Sequence, residues 1–188
     1  MKKLTVAICN IKGGTGKTSL SLALAYTISD HLGHKIIYET NDAYGPPEIE
    51  RTGGNPKLEV TIQDFGGFVP AGKGKSDMGF LLNEADCLLV PIRYERLSLR
   101  AGKDILAQRG GGRKAIVIGT ECSERDCGIL QEALGFEVLR FRSSTAVPAI
   151  LTEQRSPYEI AEEKPLLIYS WKGWFNDVKA ITRKVLDE

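Results

Sequence analysis

No stretch of this sequence approaches the roughly 20 consecutive apolar residues that a membrane-spanning helix requires. An excess of charge of one sign is missing as well. The chain has 25 Lys and Arg against 24 Asp and Glu, a formal net charge of +1, so composition exerts no overall pull toward nucleic acid or an anionic membrane, and any such binding must come from a local patch. The four cysteines, Cys9, Cys87, Cys122 and Cys127, show neither C-x-x-C spacing nor the density of a disulfide-stapled secreted domain. Reduced thiols are expected. Cys9 and Cys87 sit inside apolar runs as small hydrophobes do, and Cys122 and Cys127, with no histidine beside them, make a poor metal site. Internal repeats, low-complexity tracts and linkers are also lacking. Met1-Lys2-Lys3-Leu4 leads straight into a short apolar run without the apolar region and cleavage site of a signal peptide, so a cytoplasmic location is expected.

What is present is enough apolar residue, 42% of 188, to bury one substantial core, and a single domain over 1–188 is expected. Short apolar runs alternate with helix-like segments, the pattern of a mostly parallel, doubly wound α/β sheet flanked by helices. Strands are predicted near 4–9, 35–39, 58–63, 86–91, 114–119 and 136–140. Helices are predicted near 17–31, 97–108, 124–134, 146–154 and 167–186. Gly33 and Gly135 fall where helices should stop, and Ser123 with Asp126 fits a reciprocal cap at a helix start. Residues 40–57 and 66–76 are rich in turn formers and read as loops. Both follow the carboxyl ends of predicted strands, where ligands sit in open α/β sheets.

The strongest local signal is strand, glycine loop, helix: Leu4–Cys9, then Asn10-Ile11-Lys12-Gly13-Gly14-Thr15-Gly16-Lys17-Thr18-Ser19, then an alanine- and leucine-rich helix. Gly13, Gly14 and Gly16 let backbone amides approach phosphate oxygens with no Cβ in the way, and the helix start adds unpaired N–H groups and partial positive charge. Residues 12–19, Lys12, Gly13, Gly14, Thr15, Gly16, Lys17, Thr18 and Ser19, are therefore read as a nucleoside-triphosphate loop. Lys17 would neutralise the β- and γ-phosphates and the Thr18 hydroxyl would ligate Mg²⁺.

The common form of such a loop has glycine where Ile11 stands, and a lysine follows at position 12. Lys-Gly-Gly-Thr-Gly-Lys-Thr is the deviant Walker A motif, and on it the sequence resembles the ParA/MinD family of ATPases. The resemblance implies ATP and Mg²⁺ as cofactors, and a signature lysine, Lys12, that reaches across an ATP-dependent homodimer to the partner's phosphates. Leu58–Asp64 followed by Phe65-Gly66-Gly67 looks like the family's Walker B strand and second switch, with Asp64 holding Mg²⁺ through water. The first switch departs from the family's Asp-x-Asp-Pro pattern. Glu39-Thr40-Asn41-Asp42 puts Glu39 at the first acidic position and Asn41 at the catalytic one, leaving Asp42, one residue on, as the candidate for orienting the attacking water. Slow or unusual hydrolysis is the expectation. Glu84–Ile92 with Leu97-Ser98-Leu99, and Phe141–Pro148 with Arg142, resemble later family segments, so the likeness runs over most of the chain. Gly119-Thr120-Glu121 stands where many relatives have an Asn that helps read the base.

Trp171, Trp174, Phe175, Val178, Ile181, Thr182 and Val185 form one apolar stripe at helical spacing, read first as a closing helix against the sheet. Lys172, Lys179, Arg183 and Lys184 of the same segment could contact DNA phosphates without reading sequence. The resemblance favours a short ParA-like partition ATPase, nucleoid-associated, that binds nonspecific DNA as a dimer and answers to a centromere-binding partner protein. The alternatives are a MinD-like ATPase that uses the last helix on a membrane, a small-molecule ligase, and a nucleotide-binding regulator with little hydrolysis.

Overall fold

The computed structural model describes residues 1–40, 46–65, 84–109 and 113–187. Seven strands form one sheet: β1 (Lys2–Cys9), β2 (Lys35–Thr40), β3 (Ile49–Thr52), β4 (Leu58–Phe65), β5 (Cys87–Ile92), β6 (Lys114–Thr120) and β7 (Val138–Phe141). Among the described residues six α-helices accompany them: α1 (Lys17–Tyr26), α2 (Arg96–Gln108), α3 (Glu124–Leu134), α4 (Ala146–Glu153), α5 (Pro157–Glu163) and α6 (Leu166–Leu186). The strand order is β3-β2-β4-β1-β5-β6-β7, parallel throughout except for β3, which runs antiparallel to β2. A doubly wound, mostly parallel α/β sheet is what the alternation of apolar runs and helical patterns predicts.

Both faces of the sheet are covered, and β1 shows how. Val6 and Ile8 face a core completed by α1, α4, α5 and α6, whereas Ala7 and Cys9 face a second core closed by α2 and α3. Burial on both sides explains why β5 is a continuous apolar run, whereas β4 alternates apolar and polar residues. β5 is buried at every position from Cys87 to Ile92.

Local chemistry sets several boundaries. Ser123 accepts from the Asp126 N–H at 3.1 Å while the Asp126 carboxylate accepts from the Ser123 N–H at 3.0 Å, the reciprocal cap expected at the start of α3. Gly33 and Gly135 follow helical segments with φ of 75° and 69°. The segment expected as one helix over 17–31 is α1 followed by a π-helical turn, Thr27–His31.

Two elements escape the sequence pattern. Ile49–Thr52 lies inside the stretch read as loop over 40–57, yet forms β3, paired with β2 from Tyr38↔Ile49 to Lys35↔Thr52. A four-residue edge strand gives too short a pattern to separate from a loop. α5, seven residues beginning at Pro157, escapes for the same reason. Its N-cap, Ser156, accepts from the Tyr158 N–H at 3.2 Å. α6 behaves as expected: the entire stripe from Trp171 to Val185 is buried. That stripe is therefore engaged with the sheet and is not presented to a membrane. Among the described residues no helix is long and apolar enough to cross one.

Candidate nucleotide site

After β1 the chain goes to one side of the sheet to build β2 and β4 and later to the other to add β5, so β1 lies between β4 and β5. Such a reversal opens a crevice at the carboxyl ends of the strands. Residues 10–16 occupy it.

Asn10 is buried and braces the loop. Its amide nitrogen donates to the Pro91 carbonyl at 2.7 Å, and its Oδ1 accepts from the Lys12 N–H at 2.9 Å. The buried Thr15 hydroxyl donates to the Lys12 carbonyl at 3.3 Å. Gly14 and Gly16 have φ of 71° and 81°, backbone conformations that penalise any residue with a Cβ. Gly16 is also the N-cap of α1 and brings no side chain to it, and no acidic residue lies in the first turn. The opening amides of α1 thus form an anion-seeking end.

The two loop lysines are held differently. Lys17 is buried at 7% exposure, with Nζ donating to the Lys12 carbonyl at 3.4 Å. Lys12 lies at the rim, its side chain 39% exposed, with Nζ donating to the Gly13 carbonyl at 3.2 Å and standing 4.0 Å from Glu95 Oε1. Thr18 and Ser19 are partly buried at the start of α1. At the end of β1, burial pushes the Cys9 thiol up to about 12 against the opposing pull of Lys17, so Cys9 remains a neutral, inert thiol. All four cysteines are free and buried, in line with expectation.

Asp64 lies on β4 in register with Ile8 of β1 and Thr40 of β2, and is 2% exposed. Its Oδ2 accepts from the Tyr38 hydroxyl at 3.1 Å, a contact that the sequence reading missed. Beside it, Glu39 Oε2 accepts from Gln63 Nε2 at 3.2 Å. A hydroxyl at Thr18 and a carboxylate at Asp64 are hard oxygen donors. They suit Mg²⁺, which keeps several waters and takes few protein ligands besides substrate phosphate. Among the described residues no cluster of three or more His, Cys, Asp or Glu offers a site for a different metal. Asn41, Asp42, Gly66 and Gly67, the candidate switch residues, lie outside the described residues.

A cleft of about 190 Å³ continues from the loop, lined by Gly16, Ser19, Thr120, Glu121, Arg142 and Pro148 among others. Thr120 Oγ1 is buried there without a hydrogen-bond partner among the described residues. Glu121 has φ of 55° and its carboxylate pairs with Arg93. Arg142 is fixed by Asp177 of α6, Nε to Oδ2 at 2.7 Å and Nη2 to Oδ1 at 3.0 Å. This fork explains why Asp177 is buried on an otherwise apolar face.

The four cations of α6 are not one cluster. Lys172, Lys179 and Arg183, at i, i+7 and i+11, share a helix face. Lys184 is turned toward Glu137, its Nζ 2.6 Å from Oε2.

No protein-family model matches the sequence and no curated protein matches it closely. Solved structures do. Apo McdA from Cyanothece aligns at a TM-score of 0.67 and 12% identity, over 97% of this chain and 99% of that one. MinD from Pyrococcus horikoshii, in a complex with Mg-ADP, aligns at 0.67 and 13% identity, over 95% and 96%. The ParA of pNOB8 aligns at 0.67 and 14% identity, over 98% of each chain. At such identities the likeness is one of architecture, and it spans nearly the whole chain: the fold is that of the ParA/MinD-type P-loop ATPases.

Proposed function

We propose that this chain is a short ParA-type partition ATPase, which binds ATP with Mg²⁺, closes as a sandwich dimer, holds nonspecific DNA in that state and releases it when a centromere-binding partner protein engages. The observation that carries this reading is the unequal pair of lysines on the glycine loop. Lys17, buried at the mouth of α1, suits the nucleotide of its own chain. Lys12, at the rim, suits one presented by a second copy.

In this reading the backbone N–H groups from Gly13 to Ser19 donate to phosphate oxygens, and Lys17 balances their charge. Thr15 keeps the loop in shape from below through the Lys12 carbonyl. Thr18 and Asp64 hold Mg²⁺, which supplies charge neutralisation at the phosphates when bound. The Mg-ADP in the P. horikoshii MinD structure supports this cofactor assignment. To act in trans, Lys12 gives up the Gly13 carbonyl and its weak approach to Glu95, so dimerisation is gated by nucleotide and ATP acts as a population switch. Asn41 cannot accept a proton as a carboxylate can, and the reading assigns water orientation to Asp42 with slow turnover. The exposed cations Lys172, Lys179 and Arg183 supply the DNA face, with Lys184 contributing only if it leaves Glu137.

The test is sedimentation with and without Mg-ATP. Wild-type protein should dimerise with ATP, and Lys12→Ala should stay monomeric while its nucleotide affinity, by calorimetry, falls no more than about fivefold, the ~1 kcal/mol of an exposed ionic contact. A Lys12→Ala protein that dimerises like wild type refutes the trans role. Absence of any heat with Mg²⁺ and adenine nucleotides refutes the site.

A further inference from the structure

Tyr38 sits where β2 faces the core filled by α1 and α6, with zero exposure. A phenol at such a position costs desolvation unless its hydroxyl finds an acceptor. Tyr38 is in register with Ile62, not with Asp64. The ring therefore reaches diagonally, two residues toward the carboxyl edge, on the face of β4 that also carries Val60 and Ile62, and its hydroxyl meets Asp64 Oδ2 at 3.1 Å.

We propose that Tyr38 is a positioning residue for the metal-holding carboxylate: its hydroxyl fixes the orientation in which Asp64 faces the Mg²⁺ of the nucleotide site. The inference rests on the reading of Asp64 as the carboxylate that holds Mg²⁺ through water. A carboxylate oxygen only accepts, so in this pair the Tyr38 hydroxyl is the donor. A carboxylate has about four lone-pair directions, so the bond to Tyr38 fixes the plane of the group while taking up only one of them. Partners of this kind orient metal ligands and tune their basicity. Tyr38 also immediately precedes Glu39 and Thr40 on the strand that enters the first switch, so the metal carboxylate is tied to that strand by a side chain and not only through the sheet.

The experiment is a Mg²⁺ titration of nucleotide affinity in wild type, Tyr38→Phe and Asp64→Asn, with a second set of measurements in EDTA. Tyr38→Phe should raise the half-saturating Mg²⁺ about tenfold and leave the metal-free affinity unchanged. A core role alone would leave the metal requirement where it is. If Asp64→Asn weakens the Mg²⁺ response and Tyr38→Phe does not, the inference is wrong and the metal site stands. If Asp64→Asn responds to Mg²⁺ as wild type does, the metal reading fails and the inference falls with it. A double-mutant cycle of Tyr38→Phe with Asp64→Ala, read by chemical denaturation without nucleotide, keeps the question answerable if the single variant is destabilised. Additive effects would overturn the coupling.

Discussion

The two edges of the sheet share a habit of ion pairing but differ in one buried cation. At the amino edge, cations at the starts of strands are matched to carboxylates: Glu59 bridges Lys3 at 2.8 Å and Lys35 at 3.1 Å, Lys35 also meets Glu50 at 2.9 Å, and Lys114 pairs with Asp187. At the carboxyl edge Arg93 with Glu121 and Arg142 with Asp177 are paired too, but there a buried Lys17 also opens a helix whose first turn holds no acid. A cation at a helix N-terminus opposes the helix dipole, and burial adds a desolvation cost. One edge uses charge to join strands. The other also places a buried cation where a helix opens, at the spot an incoming polyanion would meet.

The largest effect expected from breaking this contrast is at Lys17. Lys17→Ala should lower Mg-ATP affinity by about 100-fold, roughly 2.7 kcal/mol and within the range for hydrogen bonds to charged groups, while folding stability without nucleotide changes by much less. Calorimetry and urea denaturation on the same preparation give both numbers. A fall in stability comparable to the fall in affinity would mean that the two edges are built alike.

Glu59→Gln should do the reverse on a smaller scale, lowering the denaturation midpoint at neutral pH with nucleotide affinity untouched. Hydrogen bonds from Lys3 and Lys35 hold the Glu59 carboxyl below its usual 4.5. A depressed folded-state value contributes stability that is present above the unfolded value and is lost as pH falls through the folded one. The wild type should therefore lose stability more steeply than Glu59→Gln below about pH 4.5. Superimposable acid limbs would remove Glu59 from the account.

The contrast also explains what could be seen in the sequence. Glycines at positive φ, a lysine before and after them, a reciprocal cap at Ser123 and Asp126, and a seven-residue apolar stripe on α6 are local patterns, and each was legible. The brace from Asn10 to Pro91, the fork between Arg142 and Asp177, and the reach of Tyr38 to Asp64 depend on which strands become neighbours and in what register. No single segment carries that information. The strand Ile49–Thr52 was missed for a related reason: it is anchored by Arg51, whose Nη2 lies 2.8 Å from Glu159 Oε1 and 3.4 Å from Asp30 Oδ2, residues far away in sequence.

The smallest expected effect bears on where DNA would lie, and it uses His31, one of only two histidines. Its ring stacks on Tyr158 with centroids 5.5 Å apart. Partial burial first, and then the positive charges of Lys179 and Arg183, lower its titration below the ordinary 6.5. A histidine lowered in the fold penalises protonation there, so this contribution costs stability as pH falls through 6.5 toward the folded value. If Lys172, Lys179 and Arg183 take up DNA phosphates, their potential at His31 is offset, and the titration should move back up on adding a short duplex at low salt. It should return to its starting value as salt rises, since phosphate contacts are screened. Proton NMR resolves this, with His31→Asn assigning the signal against His34. DNA binding that leaves the His31 titration in place would put the DNA face elsewhere than on this side of α6.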